Sequence, residues 1–115
     1  MVFFSHEITD EESIESMIHK EKHIYIFRMV QEALNNVLKH AKAKACKLEI
    51  YAETHCVLFK ILDNGIGFDL KNNENKLNSL GMKTLKERAE IIEAKLTVTS
   101  IRGKGTTVCI KIPKI

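Results

Sequence analysis

The chain has 115 residues, 44% hydrophobic and 29% charged, which predicts one globular domain over residues 1–115 and excludes a disordered protein. Its net charge of +3 is too small and too dispersed for a nucleic-acid-binding surface. No stretch approaches the roughly 20 apolar residues of a membrane span. Cys46, Cys56 and Cys109 are too far apart for a C-x-x-C unit and indicate buried thiols in a reducing cytoplasm.

The first part of the chain predicts an edge strand and two helices. Val2 to Ile8 is short and apolar enough for the strand, and Thr9 or Asp10 is expected to cap a short helix after it. Lys20 to Ala43 contains neither Gly nor Pro, so a long helix is predicted there. The apolar residues expected to form its core-facing stripe are Ile24, Phe27, Leu34, Leu38 and Ala41.

Two alternating segments then predict an antiparallel hairpin. In Cys46 to Glu53 the residues expected to face one side are Leu48, Ile50 and Ala52. In Val57 to Leu62 the residues expected to face inward are Val57, Phe59 and Ile61. The short connection between the two segments is typical of a hairpin.

The rest of the chain predicts an irregular stretch, a helix and a second hairpin. Periodicity is lost from Asp63 to Leu80, and a helix is expected after Gly81. Its predicted core-facing residues are Met82, Leu85, Ala89 and Ile92. Leu96 to Ile101 and Thr106 to Ile112 complete the pattern, which predicts a mostly antiparallel sheet covered by helices on one face.

A line of polar residues marks one side of the long predicted helix. Glu32, Asn36 and His40 follow at i, i+4 and i+8, and Lys39 stands beside them. A solvated helix face explains such a line. The residue types also offer an oxygen ligand for a hard cation and positive charge for phosphates, so a ligand site is the alternative.

Glycines mark three further places. Gly65 and Gly67 follow Asp63 at a strand end and allow a ligand to approach the main chain, although a turn is the structural alternative. Gly81 precedes a predicted helix, whose N-terminus offers unpaired N–H groups to a phosphate. Gly103-Lys104-Gly105-Thr106 predicts a tight hairpin from which Thr106 is able to turn its hydroxyl toward a ligand.

The order of these blocks resembles the ATP-binding domain of bacterial sensor histidine kinases. That domain has the Bergerat, or GHKL, fold, shared with gyrase, heat-shock chaperone and mismatch-repair ATPases. The matching stretches are Phe27 to Ala41, Asp63 to Asp69, Leu80 to Ala89 and Gly103 to Thr106. The resemblance covers essentially the whole chain and points to the branch of kinases paired with helix-turn-helix response regulators. It implies an α+β fold, a two-layer α/β sandwich.

The resemblance implies that one helix serves the phosphate end of the nucleotide. Asn36 matches the ligand of Mg²⁺, whose preference for oxygen it satisfies. Glu32 matches an acidic residue that positions or polarises the reacting group, and is the implied catalytic residue. Lys39 and His40 match basic residues that face the phosphates.

The other matched blocks are implied to bind adenine and cover the nucleotide. Asp63 matches the aspartate that accepts a hydrogen bond from the adenine amino group, and Thr106 the threonine that closes a water network there. Gly65 and Gly67 match the first glycine box and Gly81 the second. Phe68 to Leu80 would form a lid over ATP.

The implied function is to bind ATP with Mg²⁺ and to supply the γ-phosphoryl group to a histidine on a separate dimerisation domain. A downstream response regulator is the second implied partner. The chain has no room for the helical hairpin that carries the histidine, and His6 lacks the continuation of a phosphoacceptor box. Alone it is therefore expected to transfer phosphate negligibly. The domain is expected in the cytoplasm, without membrane contact, whether or not the complete kinase is membrane-anchored.

Two other functions and two departures from the family pattern stay open. A stand-alone serine kinase of the anti-sigma or switch type would use the same pocket. In a non-catalytic interaction module the polar line on the helix and the glycines would be only structural. Ser79 stands where the family commonly has a glycine, which predicts a stiffer lid hinge. Ile92-Glu93-Ala94 replaces a common Leu-Gly-Gly at the end of the second long helix.

Overall fold

The computed structural model describes residues 3–8, 11–67 and 80–115. The described elements are, in chain order, β1 (Phe3–Ile8), α1 (Glu11–Met17), a 3-10 turn (Lys20–Lys22), α2 (His23–Asn36), a π-helical segment (Val37–Ala41), β2 (Ala45–Ala52), β3 (Cys56–Asp63), α3 (Leu80–Ile91), β4 (Lys95–Ile101) and β5 (Gly105–Pro113). The predicted cap at Thr9 or Asp10 and the lid residues 68–79 lie outside the described residues.

The described strands form one sheet in the order β1-β2-β3-β5-β4. β1 pairs with β2 in parallel, and the other neighbours are antiparallel. A backbone bond of 2.8 Å from the N–H of Glu53 to the carbonyl of Cys56 closes the tight β2–β3 turn. The predicted α+β class, the edge strand and both hairpins are confirmed.

Alternation along β3 and β5 places the hydrophobic core on one face of the sheet. Val57, Phe59 and Ile61 of β3 are buried, as predicted, and so are the inward residues of β5, Val108, Ile110 and Ile112. α2 packs against β3 and α3, and α3 packs against β4. Removing each such aliphatic side chain from water contributes about 1.5–3 kcal/mol, so this layer of contacts holds the helices on the sheet.

The predicted core-facing stripe of the long helix is wrong. Three of its residues, Ile24, Phe27 and Leu38, are 52%, 62% and 56% exposed. Leu34 packs partly against the core. The side chain of Ala41 is not among those described. The buried stripe consists of Ile26, Met29, Ala33 and Val37. Both sets recur at helical spacing because α2 carries apolar residues on two faces, and packing against the sheet and α3 selects one of them.

The range predicted as one helix is helical but not uniform. A 3-10 turn precedes α2, and from Val37 to Ala41 the backbone is π-helical, with hydrogen bonds to the fifth residue rather than the fourth. Lys42 ends the helical run in the left-handed conformation, at φ 50°. The wider turn follows Asn36 directly. The spacing of four residues between Asn36 and His40 therefore does not align the two positions on one face as it would in an α-helix.

The predicted core-facing residues of α3, Met82, Leu85, Ala89 and Ile92, are all buried. The helix ends with a 2.8 Å bond from the N–H of Ala94 to the carbonyl of Ala89. Glu93, which stands where a glycine is common, has a left-handed φ of 58°. Across the described residues, no helix has both the length and the apolar run that crossing a membrane requires.

Candidate nucleotide site

Two glycine-containing segments pack against each other at one end of the sheet. Gly67 has φ +60°, and a Cβ on it would lie 2.8 Å from the carbonyl carbon of Ile101 and closer still to its oxygen. The N–H of Gly103 donates a 2.6 Å bond to the carbonyl of Ile66. The segment after β3 is therefore bound to the β4–β5 turn by backbone contacts that leave no space for a side chain at Gly67.

A row of polar and thiol side chains crosses the sheet at the same end. In the strand register Cys46 pairs with Asp63, Asp63 with Thr106, and Thr106 with Ser100. Asp63 and Thr106 share the face of the buried residues two positions away, Ile61 and Val108, which is the helix-covered face. We call Cys46, Asp63, Thr106 and Ser100 the terminal row.

The Asp63 carboxylate is partly buried and accepts hydrogen bonds from the backbone. Its Oδ1 accepts from the N–H of Gly65 at 2.8 Å. Burial raises the pKa of this carboxyl above its ordinary value, and the backbone N–H groups of Gly65 and Thr106 oppose the rise because they stabilise the charge. Burial and then the charge of Asp63 raise the pKa of the Cys46 thiol to about 11.

Ser100 and Thr106 form a pair of hydroxyls next to Asp63. Their Oγ and Oγ1 atoms lie 2.8 Å apart, and Ser100 Oγ also donates to the carbonyl of Gly105 at 3.3 Å. Sequence reasoning selected Thr106 but missed Ser100. The alternation of β4 placed Ser100 on the inward face, but only the register with β5 brings it opposite Thr106.

Asn64 connects the glycine segment to the end of the long helical region. Its side-chain oxygen accepts from the backbone N–H groups of Lys44 and Ala45, both at 2.9 Å, and its own N–H donates to the carbonyl of Ala45. Sequence reasoning included Asn64 in a motif but gave it no role. The contacts place the C-terminal end of the helical run at the same end of the sheet as Asp63.

The polar residues predicted on the long helix, which extend from α2 into the π-helical segment, do not share one environment. Glu32 and Asn36 are half-buried, beside the buried Ala33, whereas Asn35 and Lys39 are exposed. A fully solvated polar face, the alternative offered by the sequence, does not describe Glu32 and Asn36. The side chain of His40 is not among those described.

Gly81 lies in the first turn of α3, which begins at Leu80, two residues earlier than the start predicted after Gly81. A short turn connects α3 to β4, whose last residue, Ile101, pairs with Gly105. Of the predicted lid, Leu80 belongs to α3 instead, while Ser79 and residues 68–78 lie outside the described residues. The structure thus brings Asp63, Gly65, Gly67 and Thr106 together at one end of the sheet, and Asn64 binds the chain after the helical run at the same end.

Among residues 3–8, 11–67 and 80–115, no three His, Cys, Asp or Glu side chains form a group able to ligate a metal ion. The half-buried Asn36 offers one amide oxygen, a donor that Mg²⁺ accepts when phosphates and water complete its shell. A surface groove at the opposite end of the sheet is lined by Glu53, His55 and Glu93 among others and includes none of the predicted site residues.

Residues 21–115 match the profile of the family described as histidine kinase-, DNA gyrase B- and HSP90-like ATPases. The chain belongs to this ATPase family. Membership implies that the domain binds ATP, and the resemblance found in the sequence is confirmed. The histidine-protein kinase/phosphatase DegS of Bacillus subtilis is 38% identical over 91 residues, which are 78% of this chain and 24% of DegS. The chain therefore spans about a quarter of the length of this relative.

Solved structures of histidine kinases share the fold of this ATPase domain. The blue-light activated histidine kinase EL346 of Erythrobacter litoralis superposes with a TM-score of 0.79 at 23% identity, over 97% of this chain and 35% of its own. The ATP-binding domain of PrrB from Mycobacterium tuberculosis superposes with a TM-score of 0.69 at 19% identity, over 80% of this chain and 68% of its own. At these identities the likeness establishes the two-layer fold.

Proposed function

We propose that this domain binds ATP with Mg²⁺ and supplies the γ-phosphoryl group for autophosphorylation of a histidine on a dimerisation domain, in two-component signalling. The observation that carries the proposal is the terminal row, in which Asp63 and Thr106 stand side by side on the helix-covered face, framed by Gly65 and Gly67. The name of DegS, a histidine-protein kinase, supports this activity over that of a serine kinase or an interaction module.

The base of the nucleotide would be held by the terminal row. The Asp63 carboxylate accepts from the amino group of adenine, and Thr106 completes the contact through its hydroxyl and bound water. Guanine carries a carbonyl oxygen where adenine carries the amino group, so a carboxylate at this position disfavours guanine. The backbone at Gly65 and Gly67 approaches the ligand where a side chain would obstruct it.

The phosphates would be held from the α2 side. Asn36 provides an oxygen ligand to Mg²⁺, which neutralises charge on the phosphates when it is bound. Glu32, half-buried one turn earlier, positions or polarises the reacting group. Lys39, exposed in the π-helical segment, adds positive charge, His40 faces the phosphates as the second basic residue, and Gly81 leaves the start of α3 open to a phosphate.

The remaining parts of the reaction lie with partners. The dimerisation and phosphoacceptor domain brings the histidine nucleophile, and a response regulator of the helix-turn-helix kind receives the phosphoryl group. Three free thiols, at Cys46, Cys56 and Cys109, fit the reducing cytoplasm that we propose as the location of the domain.

Two measurements test this function. First, Mg²⁺ should strengthen ATP binding by the wild-type domain, and Asn36→Ala should lose most of that Mg²⁺ dependence. Asn35→Ala, which alters the exposed neighbour of the same type, should keep it.

Second, the complete protein encoded by the reading frame should incorporate label from γ-labelled ATP in an acid-labile, alkali-stable form, as phosphohistidine does. Acid-stable label on a partner would indicate the serine kinase instead.

A further inference from the structure

Ser100 occupies a position in the terminal row that the proposed function does not use. We propose that Ser100 sets the hydrogen-bond polarity of Thr106, so that Thr106 and Asp63 both present acceptors to the nucleotide base. Ser100 would thus be a positioning residue for adenine specificity, acting through Thr106. This inference rests on the proposed function.

The carbonyl of Gly105 can only accept a hydrogen bond. Ser100 Oγ lies 3.3 Å from that carbonyl and is its donor. A hydroxyl has a single proton, and we assign that of Ser100 to the carbonyl of Gly105. The 2.8 Å contact between the two hydroxyls allows either oxygen to donate, and with this assignment Thr106 donates and Ser100 accepts.

The lone pairs of the Thr106 hydroxyl remain available to a ligand. With its proton turned toward Ser100, the Thr106 hydroxyl faces any ligand as an acceptor. Asp63, directly across the β3–β5 pair, is an acceptor as well when it is ionised. A base edge or bridging water that contacts both residues must therefore donate the hydrogen bonds. The amino group of adenine is such a donor, and a carbonyl oxygen is not.

Removing the Ser100 hydroxyl would remove the acceptor to which the Thr106 O–H donates. Thr106 could then rotate and donate to a base carbonyl, directly or through water, and the site would tolerate an oxo-purine better. A merely structural Ser100 would alter stability, or the affinity for every nucleotide, but not the preference between bases.

The experiment measures the dissociation constants of ATP and inosine triphosphate with Mg²⁺, by displacement of a fluorescent nucleotide. Inosine triphosphate replaces the adenine amino group by a carbonyl oxygen. The decisive variants are Ser100→Thr and Ser100→Val, which have nearly the same shape but differ in the hydroxyl. Thr99→Ala, an exposed hydroxyl on the neighbouring β4 position, is the control.

We expect Ser100→Val to lower the ratio of the dissociation constant of inosine triphosphate to that of ATP by about tenfold. A change of this size is the effect of one unpaired polar contact. Ser100→Thr and Thr99→Ala should keep the wild-type ratio within about twofold. Ser100→Ala, smaller than either variant, should behave as Ser100→Val does.

Equal ratios of the two dissociation constants in Ser100→Val and Ser100→Thr would overturn the role of Ser100. If the wild type still bound ATP in that case, the proposed function would be upheld. Failure of the wild-type domain to bind ATP would overturn both. Thermal unfolding of each variant without nucleotide verifies that a changed ratio is measured on folded protein.

Discussion

Gly105 approaches Asp63 so closely that a Cβ on Gly105 would lie 2.9 Å from the carbonyl carbon of Asp63 and nearer still to its oxygen. Gly105 also has φ +118°, a conformation that side chains strain to adopt. The contact joins the end of β3 to the start of β5, where Asp63 and Thr106 pair. Two motifs about 40 residues apart in the sequence are therefore one structural unit, in which the backbone of Gly105 packs against Asp63 beside Thr106.

Gly105→Ala should destabilise the domain by at least about 2 kcal/mol, since the new methyl group would collide with backbone in a left-handed conformation. Gly103→Ala is the matched control: its φ of +81° is also positive, but a Cβ there meets no atom within 4 Å. Only the conformational cost of about 1 kcal/mol is expected. Urea unfolding measures both, and equal losses would contradict the close contact.

Glu93→Gly should stabilise the domain by about 0.5–1 kcal/mol, because glycine adopts the left-handed φ of 58° without strain. Glu87→Gly, at an exposed position within α3, should destabilise it by about 1 kcal/mol, since glycine lowers helix propensity. Thermal unfolding should show opposite signs. A loss of stability in Glu93→Gly would contradict the assigned end of α3.

Asn64→Ala should loosen the connection between the helical run and β2. Its side-chain oxygen accepts two bonds of 2.9 Å, and their removal should cost about 1 kcal/mol because exposed N–H groups turn to water. Asn64→Asp keeps an acceptor oxygen and should retain most of the stability.

Hydrogen exchange is the sharper measurement of this connection. The amides of Lys44 and Ala45 should exchange faster in Asn64→Ala, and unchanged protection there would contradict the role of Asn64.

The raised pKa of Asp63 predicts how stability depends on pH without nucleotide. Between the unfolded and the folded pKa the folded state binds more protons, so this carboxyl stabilises the fold at low pH. That contribution is complete below the unfolded pKa and is lost as pH rises through the folded pKa.

Asp63→Asn does not titrate and is therefore the reference. The unfolding free energy of the wild type relative to Asp63→Asn should decrease as pH rises above about 4, the ordinary pKa of the group. The opposite slope would show that the two backbone N–H groups outweigh burial at this carboxyl.

The sheet could be predicted from the sequence because one-sided burial imposes a period of two. Val57, Phe59 and Ile61 alternate with less buried residues, and this pattern determines both the strand and its inward face. The helical stripe was not determined in the same way. Phe27 and Met29 are both apolar and both fit helical spacing, and only tertiary packing buries Met29 and leaves Phe27 62% exposed.

Asp63 and Thr106 could be selected from the sequence because each stands beside a glycine motif, and the strand register places them side by side, while their roles stay predictions. Ser100 and Asn64 were missed because their roles come from partners 6 and about 20 residues away. Such roles depend on strand register and on the path of the chain after α2. A change from α- to π-helical backbone after Asn36 likewise has no signal in residue spacing.

The central claim is that the terminal row binds the adenine of ATP. Titration of the wild-type domain and Asp63→Asn with a fluorescent ATP analogue and Mg²⁺, displaced by ATP, tests it most directly. We expect saturable binding by the wild type and at least about tenfold weaker binding by Asp63→Asn, since an amide there leaves a polar group of the base unpaired. Equal affinities of the two proteins, or no binding by the folded wild type, would contradict the claim.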